Sequence, residues 1–273
     1  MSSTALAPSV RPYWKLFLAG IRQQATYRLA MLGGLIANAT FGFLKTAILS
    51  ATVVAGGGMV GGYDGAMMAT YVWVGQGMLG SLNLNGRLDL ADRIKSGDVT
   101  TDFLRPLDVQ AATVATEVGK AVYALLPRGV PSVVIGALFV GLGTPASPLT
   151  WVLAFVSLAL GMIVSQTTVY VLATAGFWLI ELRGLQTMYM MLSGFLAGLF
   201  VPVSLFPRWL EVLAHATPFP AMMQYPIDIF TERGGTSGAC ERLGAQCFWL
   251  AVTWVAGALL TRLGRRRLEV QGG

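Results

Sequence analysis

Six long apolar runs constrain the fold of this chain more than any other feature. A membrane-spanning helix needs about 20 mostly apolar residues, and six segments qualify: 29–55, 66–84, 121–142, 149–180, 185–205 and 243–263. Charged residues make up only 12% of the 273 positions, about half the share found in soluble domains. One soluble core could not bury this much apolar surface. The sequence therefore predicts an all-α polytopic membrane protein, with six transmembrane helices in a single domain over 1–273.

The distribution of Lys and Arg predicts the orientation. If the N-terminus is inside, fourteen basic residues fall in cytoplasmic segments, and only Arg208, Arg233 and Arg242 fall outside, all in one loop. Because basic residues are retained on the cytoplasmic side, we expect both termini to be cytoplasmic and the chain to lie in the cell membrane. No basic helix or aromatic-interleaved patch of the kind that binds nucleic acid is visible, so nucleic acid is excluded as a partner.

Three further segments carry predictions about architecture. Residues 10–26 alternate apolar and basic positions at helical spacing, which predicts a helix lying in the membrane interface, in contact with lipid. The third span needs the stretch before Pro127 to reach membrane length, so we expect a long helix kinked near that proline. The outer loop 206–242 is apolar and rich in proline and aromatics, which favours short re-entrant or half-buried helices.

The residues for catalysis or cofactor binding are missing. There is no G-x-x-x-x-G-K-[ST] phosphate loop and no HExxH pattern. One histidine and two cysteines cannot form a Cys/His metal cluster, and Cys240 and Cys247 are too far apart on one helix for a disulfide. We therefore predict no catalytic, cofactor or metal site in this chain, and no enzyme activity of its own.

Lys45 is the clearest charge inside a predicted span. A buried lysine is unfavourable unless it snorkels to the surface, makes a structural hydrogen bond, or lines a water-filled path. The sequence leaves all three alternatives open.

The segment "ADRIKSGDVTTDFLRPLD" (91–108) is densely charged and lies between two apolar spans. Apolar anchors and charges of both signs alternate in it, Gly97 permits a tight turn, and Pro106 ends the preceding helix. This pattern is typical of a rigid protein–protein contact, and the alternative is a solvated loop that only separates two spans. The candidate contact residues are Asp92, Arg93, Ile94, Lys95, Ser96, Gly97, Asp98, Val99, Asp102, Phe103, Leu104, Arg105 and Pro106.

Three stretches carry a resemblance to a known family: "RIKSGDVTTDFLRPLD" (93–108), "FWLIELRGLQ" (177–186) and "FLAGLFVPVSLFPRWLEVLAHATPFPAMMQYPIDIF" (195–230). In order and topology the chain resembles the ABC-2 type exporter permeases, in particular a small six-span subfamily with an I-x-S-G…L-R-P-x-D loop. The resemblance covers essentially the whole chain and implies a type V exporter-like fold. It also implies that the 91–108 segment is a coupling region that docks on an ATPase. Around the helix break at Pro202, it implies an outer gate formed by Phe200, Val201, Pro202 and Phe206.

The function implied is that of a permease subunit of an ATP-driven exporter. Its partners would be two ABC ATPase subunits, which bind ATP and Mg, and a second permease, identical or homologous. The few charges in the spans favour an amphiphilic or drug-like substrate. The alternatives are a stand-alone ion-coupled carrier or channel and a membrane scaffold or enzyme, and transport by the chain without any ATPase would single out the first.

Overall fold

The computed structural model describes residues 10–26 and 28–271, and every regular element in these residues is helical. A π-helical turn at Leu125–Gly129 joins two of the helices, and 3-10 turns cover Ala175–Phe177 and Val203–Leu205. The helices are α1 (Arg11–Ala25), α2 (Arg28–Ala55), α3 (Gly65–Met78), α4 (Asp89–Ser96), α5 (Val99–Phe103), α6 (Val109–Ala124), α7 (Val130–Phe139), α8 (Pro148–Thr174), α9 (Arg183–Leu196), α10 (Arg208–His215), α11 (Phe219–Met222), α12 (Gln224–Phe230) and α13 (Gly235–Gln271). The predicted all-α class is therefore confirmed for the described part of the chain.

Four helical elements are long and apolar enough to cross a membrane: Met31–Ala55, Val109–Phe139, Pro148–Phe177 and Gly235–Arg267. They correspond to the predicted spans one, three, four and six. At most a third of the most apolar window of each is buried inside the chain. Helices that expose so much apolar surface require lipid around them, and these four indicate a membrane-embedded protein.

The other two predicted spans correspond to shorter helices. α3 and α9 have 14 residues each, or about 21 Å at 1.5 Å per residue, less than the hydrocarbon thickness of about 30 Å. α3 is surrounded by other elements, and Trp73 at its centre is fully buried. The count of six spans remains a prediction, because two of the six need non-helical residues to complete the crossing.

The third predicted span lies in a long helical element, as expected from the sequence. The element runs without a break from Val109 to Phe139, so it extends before the span predicted at 121–142. Pro127 lies inside the π-helical turn, and Pro131 lies in the first turn of α7. A π turn widens the helix locally and accommodates the missing N–H of proline. The sequence pattern around Pro127 thus marks a π turn.

The ends of two other spans also differ from the prediction. α13 begins at Gly235 rather than 243, and α8 with its 3-10 turn ends at Phe177 rather than 180. The polar first turns of α13 extend beyond the apolar run, so hydropathy alone places this helix start too late. Cys240 and Cys247 lie on α13 as exposed free thiols.

Helix α1 packs along α6 through two glycines. A Cβ atom on Gly20 would lie 2.0 Å from the Thr116 carbonyl oxygen, and one on Gly119 would lie 2.1 Å from the Phe17 carbonyl oxygen. Backbones approach this closely only where small residues face each other. The predicted amphipathic helix at 10–26 is therefore present at Arg11–Ala25, and it is fixed to the body of the protein.

Helices α10, α11 and α12 occupy the predicted outer loop 206–242. α10 has an exposed apolar side that includes Trp209, whereas α11 and α12 pack against α8 and are almost wholly buried. The segment therefore folds into short helices, of which α11 and α12 pack inside the chain, and their placement relative to the membrane stays a prediction.

Candidate functional site

The charged segment after α3 folds into a hairpin of two short helices, α4 and α5, here called the polar hairpin (residues 89–103). Asp89 and Asp92 lie in the first turn of α4, and Arg93 and Lys95 lie in its last turn, which matches the helix dipole. Gly97 ends α4 with a φ of 84°. This left-handed conformation favours glycine, and it turns the chain directly into α5.

One side of the polar hairpin packs on the rest of the chain. Ile94 is 5% exposed and lies against Gly176, and Val99 is fully buried. Asp102 is buried as well, and its carboxylate forms an ion pair with Arg93 Nη2 at 2.6 Å. Ile94, Val99 and Asp102 of the candidate contact set are therefore used in contacts within the chain.

The opposite side of the hairpin is open. Asp92, Lys95, Ser96 and Asp98 are exposed on it, and the Ser96 hydroxyl donates to Asp98 over 2.7 Å. After α5, Arg105 and Pro106 are exposed too, and Leu104 is 86% exposed. The apolar side chains in the candidate contact set are Ile94, Val99, Phe103 and Leu104. Leu104 is therefore the one of these four that is largely exposed.

The polar hairpin is joined to the ends of two long helices. Phe103 stacks on Phe177 at a centroid distance of 6.4 Å, and the Arg265 guanidinium of α13 lies 5.5 Å from the Phe103 ring centre. A Cβ on Gly264 would lie 2.2 Å from the Phe177 ring, so α13 also packs tightly on this ring. A displacement of the hairpin would therefore be transmitted to α8 and α13 together.

A cleft of about 620 Å³ lies between α4 and residues 176–186. Lys95 on one wall donates to Glu181 on the other over 3.3 Å, and this hydrogen bond is the main cause that lowers the pKa of Glu181. Ile180, which lines the cleft, is 87% exposed, and its neighbour Leu179 is 48% exposed. The cleft thus combines apolar side chains with charges of both signs, the composition of a protein-docking surface.

The predicted outer-gate residues lie in the turn between α9 and α10. Phe200 is exposed, Val201 and Phe206 are half-buried, and Pro202 is buried. Phe206 stacks on Phe195 of α9 at 4.8 Å between centroids. The structure thus brings this group of residues together at the end of α9.

Lys45 is attached to this same turn. Its Nζ donates to the Leu199 carbonyl oxygen over 2.6 Å and lies 5.5 Å from the centre of the Phe200 ring. Of the three alternatives left open by the sequence, the structural hydrogen bond describes the geometry found. The bond fixes the end of α9 to α2.

A buried polar cluster that the sequence reasoning missed contacts the turn between α9 and α10, residues 197–207, here called the gate turn. The Asp228 side chain of α12 is 3% exposed. Arg233 Nη1 donates to its carboxylate over 3.2 Å, and Arg242 Nε forms an ion pair with it at 3.3 Å. The Tyr63 hydroxyl and Gln224 Nε2 also donate to Asp228. Burial, and after it the charge of Asp228, raises the pKa of Tyr63 well above its ordinary range, so the phenol remains a donor.

The cluster extends from Asp228 to the backbone of the gate turn. The Tyr71 hydroxyl donates to the Gly198 carbonyl oxygen over 2.6 Å and lies 2.7 Å from Gln224 Oε1. The backbone N–H of Val203 donates to the same Gln224 oxygen over 3.1 Å. The residues that we call the Asp228 cluster are Tyr63, Tyr71, Gln224, Asp228, Arg233 and Arg242.

The missed signal was a single carboxylate in "QYPIDIF" between apolar residues, with two of the three outer arginines following within fourteen positions. A buried carboxylate requires paired cations, so Asp228 itself predicted a partner. A second missed residue is Arg128, a cation inside the third span. No group of three or more metal-ligating side chains occurs in the part of the chain that the structure describes.

The family model described as "ABC-2 family transporter protein" matches residues 39–272, which is most of the chain. No curated protein matches the chain.

Proposed function

The chain belongs to the ABC-2 transporter family, and we propose that it is the transmembrane subunit of an ATP-driven exporter that is driven through the polar hairpin. Family membership establishes a membrane transport component, a permease of an ABC transporter in general. The exporter direction, the two ATPase partners, a second permease, six spans and cytoplasmic termini are part of the proposal.

The observation that carries the proposal is the two-sided construction of the hairpin. Its inner side is fixed by Ile94, Val99 and the Arg93–Asp102 pair, and its outer side presents Leu104 among exposed charges. A docking element must be rigid to transmit work, and this one is held by a partly buried ion pair and by packing. Its ring contact at Phe177 leads directly to α8 and α13.

In the proposed cycle, two ATPase subunits bind ATP and Mg and close on each other. Their movement displaces the polar hairpins of two permeases. Each hairpin shifts the ends of α8 and α13, and the path between the permeases opens on the outer side past Phe200 and Phe206. The Asp228 cluster holds the backbone of the gate turn during this change.

An amphiphilic or drug-like substrate fits the exposed surface of α9. The side chains that α9 exposes are apolar along most of its length. Among the described residues of the long spans, Lys45 and Arg128 are the charges at membrane depth, and a strongly charged substrate would find few partners there.

Co-purification with the ATPase encoded nearest to this gene tests the docking assignment. We expect the double charge reversal Asp98→Lys with Arg105→Glu to abolish complex formation, because both side chains are exposed. Arg105 also lies 3.7 Å from Asp102, so the variant is compared with the wild type by thermal unfolding, and an unchanged midpoint is required before loss of the complex is assigned to docking. The matched control is Arg208→Glu with Glu211→Lys, which reverses an exposed i,i+3 pair on α10. We expect the control to retain the complex.

The readouts are ATP turnover and substrate flux in vesicles. Flux that requires the ATPase supports the proposal, whereas flux by the chain alone would indicate a carrier or channel. An intact complex with normal turnover in the hairpin variant would show that docking occurs elsewhere.

A further inference from the structure

Arg128 is an intramembrane cation whose partners in the chain are incomplete. It lies in the π-helical turn of the third span, and its Nη2 donates to the Asn38 side-chain oxygen over 2.8 Å. Its Nε is buried without a hydrogen-bond partner, and no carboxylate pairs with it among the described residues. A charged residue at membrane depth is in most cases either paired or functional. Arg128 has no carboxylate partner among the described residues, which favours a function for it.

A cavity of about 350 Å³ lies next to this guanidinium. Arg87, Lys120 and Arg128 line it, together with one carboxylate, that of Glu117. Glu117 is occupied, because Lys120 donates to it over 2.7 Å, whereas Arg87 forms no ion pair with any described residue. The cavity, here called the basic cavity, therefore carries an excess of positive charge.

Uncharged polar groups complete the lining. Gln166 of α8 is 5% exposed, and its Oε1 is buried without a partner. Asn83, Asn85 and Gln24 also line the cavity, and the Asn83 amide donates to the Arg87 carbonyl oxygen over 2.8 Å. Two guanidinium groups without a carboxylate partner among the described residues form a site for an oxyanion, because guanidinium groups bind phosphate oxygens by charge-assisted hydrogen bonds.

The position of the basic cavity indicates what carries the oxyanion. Gln24 belongs to α1, whose exposed Trp14, Lys15 and Arg22 are typical of a helix at headgroup depth. A second cavity of about 290 Å³, lined by apolar residues, lies between α3, α7 and α8. The two cavities share neighbouring residues of the chain at two points. Leu79 and Arg128 line the basic cavity, and the adjacent Met78 and Gly129 line the apolar cavity.

We propose that the basic cavity binds the phosphate group of a phosphate ester, with Arg87 and Arg128 as its cationic ligands. In an anionic lipid of the leaflet in which α1 lies, the phosphate occupies the basic cavity and an acyl chain occupies the apolar cavity. The proposal concerns binding by this chain and does not depend on the exporter assignment.

Native mass spectrometry of the full chain in a neutral detergent tests the proposal with three probes. These are phosphatidylglycerol, diacylglycerol with the same acyl chains, and soluble glycerol 3-phosphate. We expect retention of phosphatidylglycerol and little retention of diacylglycerol. Arg87→Gln and Arg128→Gln should each weaken phosphatidylglycerol binding by about tenfold or more, the range for losing a charge-assisted hydrogen bond. Arg22→Gln removes an exposed cation of α1 outside the cavity and should leave binding unchanged.

The outcomes separate the source of the phosphate from the validity of the site. If glycerol 3-phosphate displaces the lipid or binds alone through Arg87 and Arg128, the ligand is a soluble phosphate ester. Equal retention of diacylglycerol and phosphatidylglycerol overturns the proposal, as does equal weakening by Arg22→Gln and Arg87→Gln. Arg87 is exposed, so Arg87→Gln folds even if Arg128→Gln does not, and unchanged binding in that variant alone is decisive against the site.

Discussion

The Asp228→Asn substitution removes one charge from the centre of the Asp228 cluster and keeps the size and shape of the side chain. The asparagine can still accept hydrogen bonds from Tyr63 and Gln224, but it cannot neutralise two arginines. The side chains of Arg233 and Arg242 are only 25% and 16% exposed. Both would then be partly buried cations without a carboxylate, since Asp228 is their one salt-bridge partner among the described residues.

The magnitude follows from burial. Removing one partner of a buried ion pair costs about 3–5 kcal/mol, and the 3% exposure of the Asp228 side chain places this pair in that class. At about 2–4 °C per kcal/mol for a chain of this size, we expect the unfolding midpoint to fall by roughly 6–20 °C. The matched control is Glu211→Gln, which breaks the ion pair to Arg208, 84% exposed. Such surface pairs contribute about 0.2–1 kcal/mol.

The assay is thermal unfolding of the purified chain in detergent, followed by intrinsic fluorescence, because the exposed Cys240 and Cys247 would react with a thiol dye before unfolding. A midpoint shift for Asp228→Asn no larger than that of the Glu211→Gln control would refute the reasoning. It would show that the two arginines are solvated and that the cluster does not hold the gate turn.

Three other substitutions probe separate parts of the structure. Gly119→Val should detach α1 from α6 and expose α1 to proteolysis, because a Cβ atom at position 119 would lie 2.1 Å from the Phe17 carbonyl oxygen. The control is Gly33→Val, which has open space around it and should not increase cleavage of α1. Equal cleavage of the two variants would contradict the packing of α1 on α6. Lys45→Met should destabilise the chain by about 1–3 kcal/mol by leaving the Leu199 carbonyl without its donor, and Lys45→Gln, which keeps a donor, should lose less on thermal unfolding. Burial lowers the pKa of His215, whose Nδ1 lies 2.9 Å from the Tyr225 hydroxyl. The neutral ring is therefore favoured in the folded state, and the His215 contribution is complete above about pH 6.5 and is lost as the pH falls through the lowered pKa. The unfolding midpoint of His215→Gln should vary less between pH 7 and 5 than that of the wild type, and an identical pH profile would remove His215 from this account.

Local patterns in the sequence located most of the helices and the charged segment that forms the polar hairpin. Charge density, Gly97 and Pro106 were enough to identify the segment 91–108, because dipole-matched charges and a left-handed glycine are local requirements of short helices. The same patterns could not distinguish inner from outer side chains. Ile94 and Val99 have the composition of partner-facing anchors, but both are buried in the fold, and Ile94 lies against Gly176, which is 82 positions away in the chain.

The partners of the buried polar residues were beyond sequence reasoning for a related reason. Asp228 and Arg128 each occur singly among apolar neighbours, and a single charge has no periodicity to detect. Their partners are distant in sequence: Tyr63 is 165 positions from Asp228, and Asn38 is 90 positions from Arg128. Only the packing of α2, α3 and α12 brings these groups within hydrogen-bond distance.

The sequence by itself determined that the protein is helical and membrane-embedded, because apolar length and charge depletion are sums over the chain that do not depend on how helices pack. It also determined the family, through short motifs in a fixed order. The tertiary structure decided which charges are neutralised inside the chain and which remain available. That distinction depends on distances between separate helices. It divides the polar hairpin into a packed side and an exposed side, and it leaves Arg128 without a carboxylate partner among the described residues.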